Sequence, residues 1–135
     1  MAQKLLIVDN NPDDIEITKI ALAEIGYKDE VECARSGDAA LQRLRGGDLP
    51  SLIFLDLKIP GISGIETLRQ IRADERLRHV PVIIVSGSAN PRDQKEVLKA
   101  GADGFLFKTF DFDALVREIN SMLQRFLKGR QMPSI

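Results

Sequence analysis

The chain has 135 residues, 44% of them apolar and 29% charged, which is typical of an ordinary globular protein of one domain. Its net charge of -1 argues against a nucleic-acid binder, because such proteins usually carry a basic excess. The single cysteine, Cys33, excludes an internal disulfide, and the single histidine, His79, argues against a histidine-rich metal centre. No apolar run approaches the roughly 18 residues of a membrane span. We therefore expect a soluble, cytoplasmic protein that does not act at a membrane.

Five short runs of residues predict β-strands. The first, third, fourth and fifth are apolar throughout, as strands covered on both faces of a sheet usually are; they are residues 5–8, 52–55, 82–85 and 104–107. The second run, residues 31–34, is half polar and suits an edge strand. It contains Cys33, which we expect in or near the core, because free cysteines usually behave as small hydrophobes.

Segments with helical patterns follow each strand. Asn11 can cap the first helix, Pro12 fits its first turn, and Asp13 and Asp14 suit the positive end of its dipole. Gly26 is a natural end for that helix. The four later helices are predicted over residues 38–45, 64–73, 91–100 and 111–127. This alternation predicts parallel strands with right-handed crossovers and helices on both faces.

Polar residues able to bind a metal ion or a phosphate follow four of the strands. They are Asp9, Asn10 and Asn11 after the first strand, Asp56 after the third, Ser86 after the fourth and Lys108 after the fifth. Ligands of parallel sheets bind at the carboxyl ends of the strands, so we expect these side chains to lie close together. Oxygen ligands suit Mg²⁺, and a lysine supplies a point charge for phosphate oxygens.

Taken singly, most of these residues have an ordinary structural explanation. Asp9 could be a turn former, Ser86 part of a polar loop, and Lys108 a surface lysine with a buried stem. Asp56 differs, because a carboxylate directly after a buried strand costs free energy without a partner. Their placement at the same ends of four strands favours a functional site.

Two other features are explained without function. Arginines recur between residues 69 and 78, but Asp74 and Glu75 interrupt them, which predicts a solvated face. His79 precedes the fourth strand and is expected at the surface.

Over residues 4–127 the sequence resembles the receiver domain of two-component response regulators. The segments that carry the resemblance are residues 6–9, 53–61 with Gly64, 82–87 and 101–108. Residues 11–14 and 77–81 are most similar to small stand-alone regulators paired with phytochrome-type histidine kinases. The resemblance implies a flavodoxin-like (βα)5 fold with strand order 2-1-3-4-5, a receiver domain over residues 1–127 and a flexible tail over residues 128–135.

The resemblance also implies chemical roles. Asp56 would accept a phosphoryl group from a histidine kinase, and Lys108 would neutralise the phosphate. Mg²⁺ would bind between Asp56, the backbone carbonyl of Lys58 and the loop of Asp9 and Asn10. Enzymatic activity would be limited to self-phosphorylation and self-dephosphorylation.

Further residues would control access to the phosphate and transmit the signal. Ser86 would bind a phosphate oxygen, and Phe105 would change position with it. Gly87 would leave the phosphate open, while Lys58 and Ser88 would modulate the dephosphorylation rate. The changed surface of the fourth helix, fifth strand and fifth helix would dock a downstream target or a phosphotransfer protein, or form a homodimer.

At two positions the chain departs from the family pattern. The second acid after the first strand is replaced by Asn10, which leaves Asp9 and Asp56 as the acids from these positions and predicts weaker Mg²⁺ binding. The proline that usually follows the lysine is replaced by Thr109, which predicts a trans peptide bond after Lys108.

Other functions remain open. A degenerate receiver would signal by phosphate-independent protein binding, and Asn10 and Thr109 favour it. A haloacid-dehalogenase-like phosphatase would need a second aspartate where Asn11 stands, and a cap insertion that this length does not accommodate. A flavodoxin-like FMN carrier would need Ser, Thr and Gly after the first strand, whereas residues 9–11 would repel a phosphate unless a metal ion intervened.

Overall fold

The computed structural model describes residues 3–88 and 90–127, and within them strands and helices alternate five times. The strands are β1 Leu5–Val8, β2 Val31–Ala34, β3 Leu52–Asp56, β4 Val82–Ser86 and β5 Gly104–Phe107. The helices are α1 Pro12–Ile25, α2 Gly37–Arg45, α3 Gly64–Ala73, α4 Pro91–Lys99 and α5 Phe112–Phe126. The predicted tail, residues 128–135, lies outside the described residues.

The strands form one parallel sheet in the order β2-β1-β3-β4-β5. This confirms the flavodoxin-like arrangement that the resemblance implied. Chain order and spatial order diverge at β1, which pairs with β2 on one side and with β3 on the other. Crevices at such a reversal, outside the carboxyl ends of the strands, are where ligands bind in open α/β sheets.

Each face of the sheet is covered by its own helices. Alternate strand residues such as Leu5, Ile7 and Phe54 point to one face and pack against α1 and α5. Their neighbours, such as Leu6 and Ile53, pack on the other face against α2, α3 and α4. Because β1 and β3 are buried on both faces, residues 5–8 and 52–55 are all apolar, which is the pattern that predicted these strands; only the last residue of β3, Asp56, is charged.

The first helix begins at the cap that the sequence predicted. The Asn11 side chain accepts hydrogen bonds from the backbone N–H groups of Asp13 and Asp14, and Pro12 occupies the first turn. The helix ends at Gly26, whose φ of 92° is a left-handed conformation that favours glycine. The Asn11 cap lies in the loop after β1, so the first turn of α1 begins beside the carboxyl edge of the sheet.

The sequence-based expectation for Cys33 is wrong. The residue is exposed, not in or near the core. The reason is its position on β2, the edge of the sheet, where β1 is the only neighbouring strand and enclosure is incomplete. His79 is exposed, as expected. No helix among the described residues combines the length and the apolar character needed to cross a membrane.

Candidate functional site

Backbone hydrogen bonds fix the residues that follow the strands. The N–H of Asp9 donates to the Ala34 carbonyl at 3.0 Å, and the N–H of Lys108 donates to the Ser86 carbonyl at 2.8 Å. The sheet ladder thus continues one residue past β1 and β5. The backbones of Asp9 and Lys108, like those of Asp56 and Ser86 at the ends of β3 and β4, are therefore held by the sheet.

Two buried carboxylates face the same ammonium group at this edge. The side chains of Asp9 and Asp56 are each 8% exposed, and their Oδ2 atoms lie 3.6 Å and 3.0 Å from Lys108 Nζ. The Oδ1 atom of Asp9 accepts the N–H of Asn11 at 2.9 Å, and that of Asp56 accepts the N–H of Lys58 at 3.2 Å. Each carboxylate thus has one oxygen held by the backbone and one turned toward the lysine.

The electrostatics of these groups follow from burial and from their proximity. Burial raises the pKa of the Asp9 carboxyl above its ordinary value; the Asn11 N–H opposes this rise, and the nearby Asp56 carboxylate adds to it. Burial acts to lower the pKa of Lys108, but hydrogen bonds to Asp14 and Asp56 outweigh it and raise that pKa well above its usual range. Lys108 therefore remains charged under all ordinary conditions.

Asp14 belongs to this cluster of charged groups, although sequence reasoning assigned it to the start of the first helix and not to the site. Its Oδ2 atom lies 2.8 Å from Lys108 Nζ, closer than either buried carboxylate. By contrast, Asn10 is exposed at the surface of the loop. Asn11 is occupied as the cap of α1, which explains this residue without a catalytic role.

Ser86 lies at the same edge of the sheet but is engaged elsewhere. Its side chain is buried, and its Oγ accepts the N–H of Ser88 at 3.0 Å. The Ser88 hydroxyl in turn donates to Asp93 Oδ2 at 2.6 Å, which joins the loop after β4 to α4. Among the described residues, no hydrogen bond joins the Ser86 side chain to Asp56 or Lys108.

Phe105 is partly buried in β5, where it packs against the hydrophobic core on the face of the sheet that α2, α3 and α4 cover. Together with Ser88, Phe107 and Glu118 it lines a cavity of about 340 Å³. There is therefore open space beside this ring. The peptide bond after Lys108 is trans, as predicted, since no cis peptide bond occurs in residues 3–88 and 90–127.

A second cavity, of about 450 Å³, opens directly beside Asp56 and Lys108. It is mostly apolar and lies between α1, β5 and the start of α5. Its lining includes Ile17, which is 44% exposed, and Phe110, which is fully exposed. Sequence reasoning missed this cavity, because it depends on how α1 and the loop before α5 are spaced.

Two glycines have opposite surroundings at the site. A Cβ atom on Gly87, which lines the larger cavity, would meet nothing within 4 Å. A Cβ atom on Gly64 would lie 2.6 Å from the carbonyl oxygen of Asp56 and 2.7 Å from the Cα and carbonyl oxygen of Leu57. The start of α3 can therefore approach the backbone at the end of β3 only because position 64 is glycine.

Lys58 is exposed at the rim of the site.

The donor set suits a hard cation that keeps water ligands. Asp9 and Asp56 both line the larger cavity, and Mg²⁺ typically takes one or two protein carboxylates and several waters. Within the described part of the chain, no group of three or more metal-binding side chains is arranged to hold an ion. The residues therefore fit an ion bound partly by water or by phosphate oxygens.

The fold and the site define a doubly wound α/β protein that gathers carboxylates and a lysine at the carboxyl edge of its sheet. A family model of the response regulator receiver domain matches residues 5–120. The chain therefore belongs to the response regulator receiver domain family of two-component signalling. Proteins of this family are generally signalling proteins and not enzymes.

Individual relatives agree with this assignment. The chemotaxis protein CheY of Pseudomonas aeruginosa is 36% identical over 122 residues, which cover 90% of this chain and 97% of the relative. The phosphorylated cyanobacterial phytochrome response regulator RcpA superimposes with a TM-score of 0.86 at 28% identity, covering 99% of this chain and all of RcpA. This likeness bears out the similarity to phytochrome regulators.

A second solved structure concerns the metal ion. The receiver domain of the sensor histidine kinase PA1611 from Pseudomonas aeruginosa superimposes with a TM-score of 0.77 at 29% identity, covering 94% of this chain and 98% of that domain. That structure has a magnesium ion coordinated in its active-site cleft.

Proposed function

We propose that this chain accepts a phosphoryl group on Asp56 from the phosphohistidine of a histidine kinase. The observation that supports this most directly is the buried Asp56 carboxylate, whose Oδ2 lies 3.0 Å from Lys108 Nζ beside an open cavity. In the transfer, the P–N bond to the kinase histidine breaks as a P–O bond to Asp56 forms, and the imidazole leaves. Such transfers depend mainly on positioning and charge neutralisation.

Mg²⁺ is the cofactor that we propose for this transfer. Asp9, Asn10, Asp56 and the backbone carbonyl of Lys58 would hold it, with Asn10 a weaker ligand because its amide is neutral. When bound, the ion offsets the negative charge that builds up on the transferred oxygens. Lys108 does the same from the protein side, as a fixed cation next to Asp56.

Signalling is proposed to follow from the charge that phosphorylation adds, about -1.5 to -2 at neutral pH. Ser86 would leave the Ser88 N–H and turn to a phosphate oxygen, and Phe105 would move toward the space that this opens. The cavity beside Phe105 and Ser88 supports this, because the ring has room to move. Gly87 leaves the phosphate accessible, and Lys58 and Ser88 modulate how fast it is hydrolysed.

The output is proposed to be a changed docking surface on α4, β5 and α5. Leu98 of α4 and Phe107 of β5 are 44% and 40% exposed, so this face already presents apolar side chains. A downstream protein or a phosphotransfer protein would bind there, and a homodimer would use the same surface. The likeness to RcpA supports a phytochrome-type kinase as the phosphodonor.

Intact-mass measurement after incubation with acetyl phosphate and Mg²⁺ tests the proposal. We expect a gain of about 80 Da, the mass of one phosphoryl group, that the Asp56→Asn variant does not show. A folded protein that gains no mass from acetyl phosphate or from a phosphorylated histidine kinase would contradict it and favour a degenerate receiver. Turnover of many equivalents of acetyl phosphate without a stable adduct would favour a phosphatase.

A further inference from the structure

The Lys108 ammonium is shared by three carboxylates, and the closest one comes from α1. Asp14 Oδ2 lies 2.8 Å from Nζ, whereas the oxygens of Asp56 and Asp9 lie at 3.0 Å and 3.6 Å. The three acids differ in exposure: the Asp14 side chain is 34% exposed, and the other two are 8% exposed. Asp14 therefore holds the lysine from the solvent side, while Asp9 and Asp56 contact it from within.

The charges at the site show what this third acid adds. Asp9 and Asp56 supply two negative charges and Lys108 one positive charge, so these three residues alone leave a net charge of -1. Asn10, at the loop after β1, contributes none. With Asp14 the cluster has a net charge of -2, which matches a divalent cation.

Lysine and a divalent cation would also compete for the same oxygens. A cation bound between Asp9 and Asp56 needs the Oδ2 atoms that now face Lys108. With Asp14 present, Lys108 keeps a full carboxylate partner when those oxygens turn to the ion. Without it, Lys108 would depend entirely on the two buried carboxylates, and the cation would have to displace it.

We propose that Asp14 is a positioning residue that holds Lys108 at the mouth of the site and thereby leaves Asp9 and Asp56 free to bind a divalent cation. The inference rests on the proposed function, because it concerns the cation that the phosphoryl transfer would use. Asp14, in the first turn of α1, would then supply the negative charge that the neutral Asn10 lacks.

Mg²⁺ titration by calorimetry, without any phosphodonor, tests this directly. Asp14→Asn keeps the shape and the hydrogen-bonding oxygen but removes the charge, and we expect it to weaken Mg²⁺ binding roughly threefold to tenfold. The matched control is Asp13→Asn, which removes the same charge from the same exposed helix turn, where no ion pair to Lys108 is formed. We expect the control to stay within about twofold of the wild type.

Two further variants separate positioning from folding. Asp14→Glu retains the charge and should keep most of the affinity. Adding Asn10→Asp to Asp14→Asn returns the missing charge by another route and should restore binding toward the wild-type value. Thermal unfolding of each variant shows whether the fold is retained.

The outcomes distinguish this inference from the proposed function. If the wild type binds Mg²⁺ and gains a phosphoryl group, but Asp14→Asn and Asp13→Asn have the same affinity, the role of Asp14 is wrong and the proposed function stands. If the wild type neither binds Mg²⁺ nor gains a phosphoryl group, the proposed function fails, and the inference fails with it.

Discussion

Replacing Gly64 by alanine should destabilise the protein, although the same change usually stabilises a helix. Gly64 is the first residue of α3, and a helical alanine is favoured over glycine by up to about 1 kcal/mol. Here the added methyl group would lie 2.6 Å from the Asp56 carbonyl oxygen and 2.7 Å from two backbone atoms of Leu57. Such distances are well inside van der Waals contact, so either α3 or the end of β3 must move.

The loss in the free energy of unfolding can be estimated from the atoms that the added methyl group would meet. Overpacking in a well-packed region costs about 1–3 kcal/mol, and backbone atoms cannot escape by changing rotamer, so we take the upper part of that range. Subtracting the gain in helix propensity leaves a loss of about 2 kcal/mol in the free energy of unfolding. For a domain of this size that corresponds to a fall in melting temperature of roughly 8 °C.

Urea denaturation followed by circular dichroism measures this loss, and Gly87→Ala is the matched control. A methyl group on Gly87 would meet nothing within 4 Å, so its free energy of unfolding should stay within about 0.5 kcal/mol of the wild type. If Gly64→Ala proves as stable as Gly87→Ala, the close approach of α3 to the end of β3 is not a constraint on the fold, and our reasoning is refuted.

Two other predictions concern charge. Because burial raises the pKa of Asp9, its ionised form costs stability at neutral pH, and this cost disappears as the pH falls through the raised pKa toward the ordinary value of 3.8. Asp9→Asn should therefore melt a few degrees higher than the wild type at pH 7, and the difference should shrink toward pH 4; a constant difference would contradict the linkage. Arg72→Ala should lose about 2 kcal/mol in urea denaturation, because the guanidinium donates to the carbonyls of Gly101 and Val80 at 2.8 Å each. Arg78→Ala, which removes an exposed ion pair, should change the stability by less than about 0.5 kcal/mol. A loss for Arg72→Ala as small as that would show that its part-buried hydrogen bonds contribute nothing.

Most of the fold was predictable because local patterns and tertiary environment agree. The apolar run of β1 is buried on both faces, and the half-polar run of β2 lies at an edge. The polar residues after the strands converge because parallel strands end at one edge, so the contact of Asp56 with Lys108 needed only the topology.

The features that escaped prediction depend on tertiary spacing. Asp14 contacts a lysine 94 residues away, and nothing in the pattern of residues 11–14 distinguishes its side chain from that of Asp13. Arg72 was expected on a solvated face, yet its guanidinium reaches backbone carbonyls of two separate loops. Cys33 is apolar enough for a core, and only the limited cover over an edge strand exposes it.

The backbone hydrogen bond from the Lys108 N–H to the Ser86 carbonyl has a mechanical consequence. It links the carboxyl ends of β4 and β5 through peptide groups, so a displacement of one strand end is transmitted to the other. Ordinary side-chain replacement cannot sever this connection. Proline at position 108 would remove the N–H donor, but it would also remove the Lys108 ammonium. A substitution therefore cannot break this backbone hydrogen bond and keep the lysine side chain.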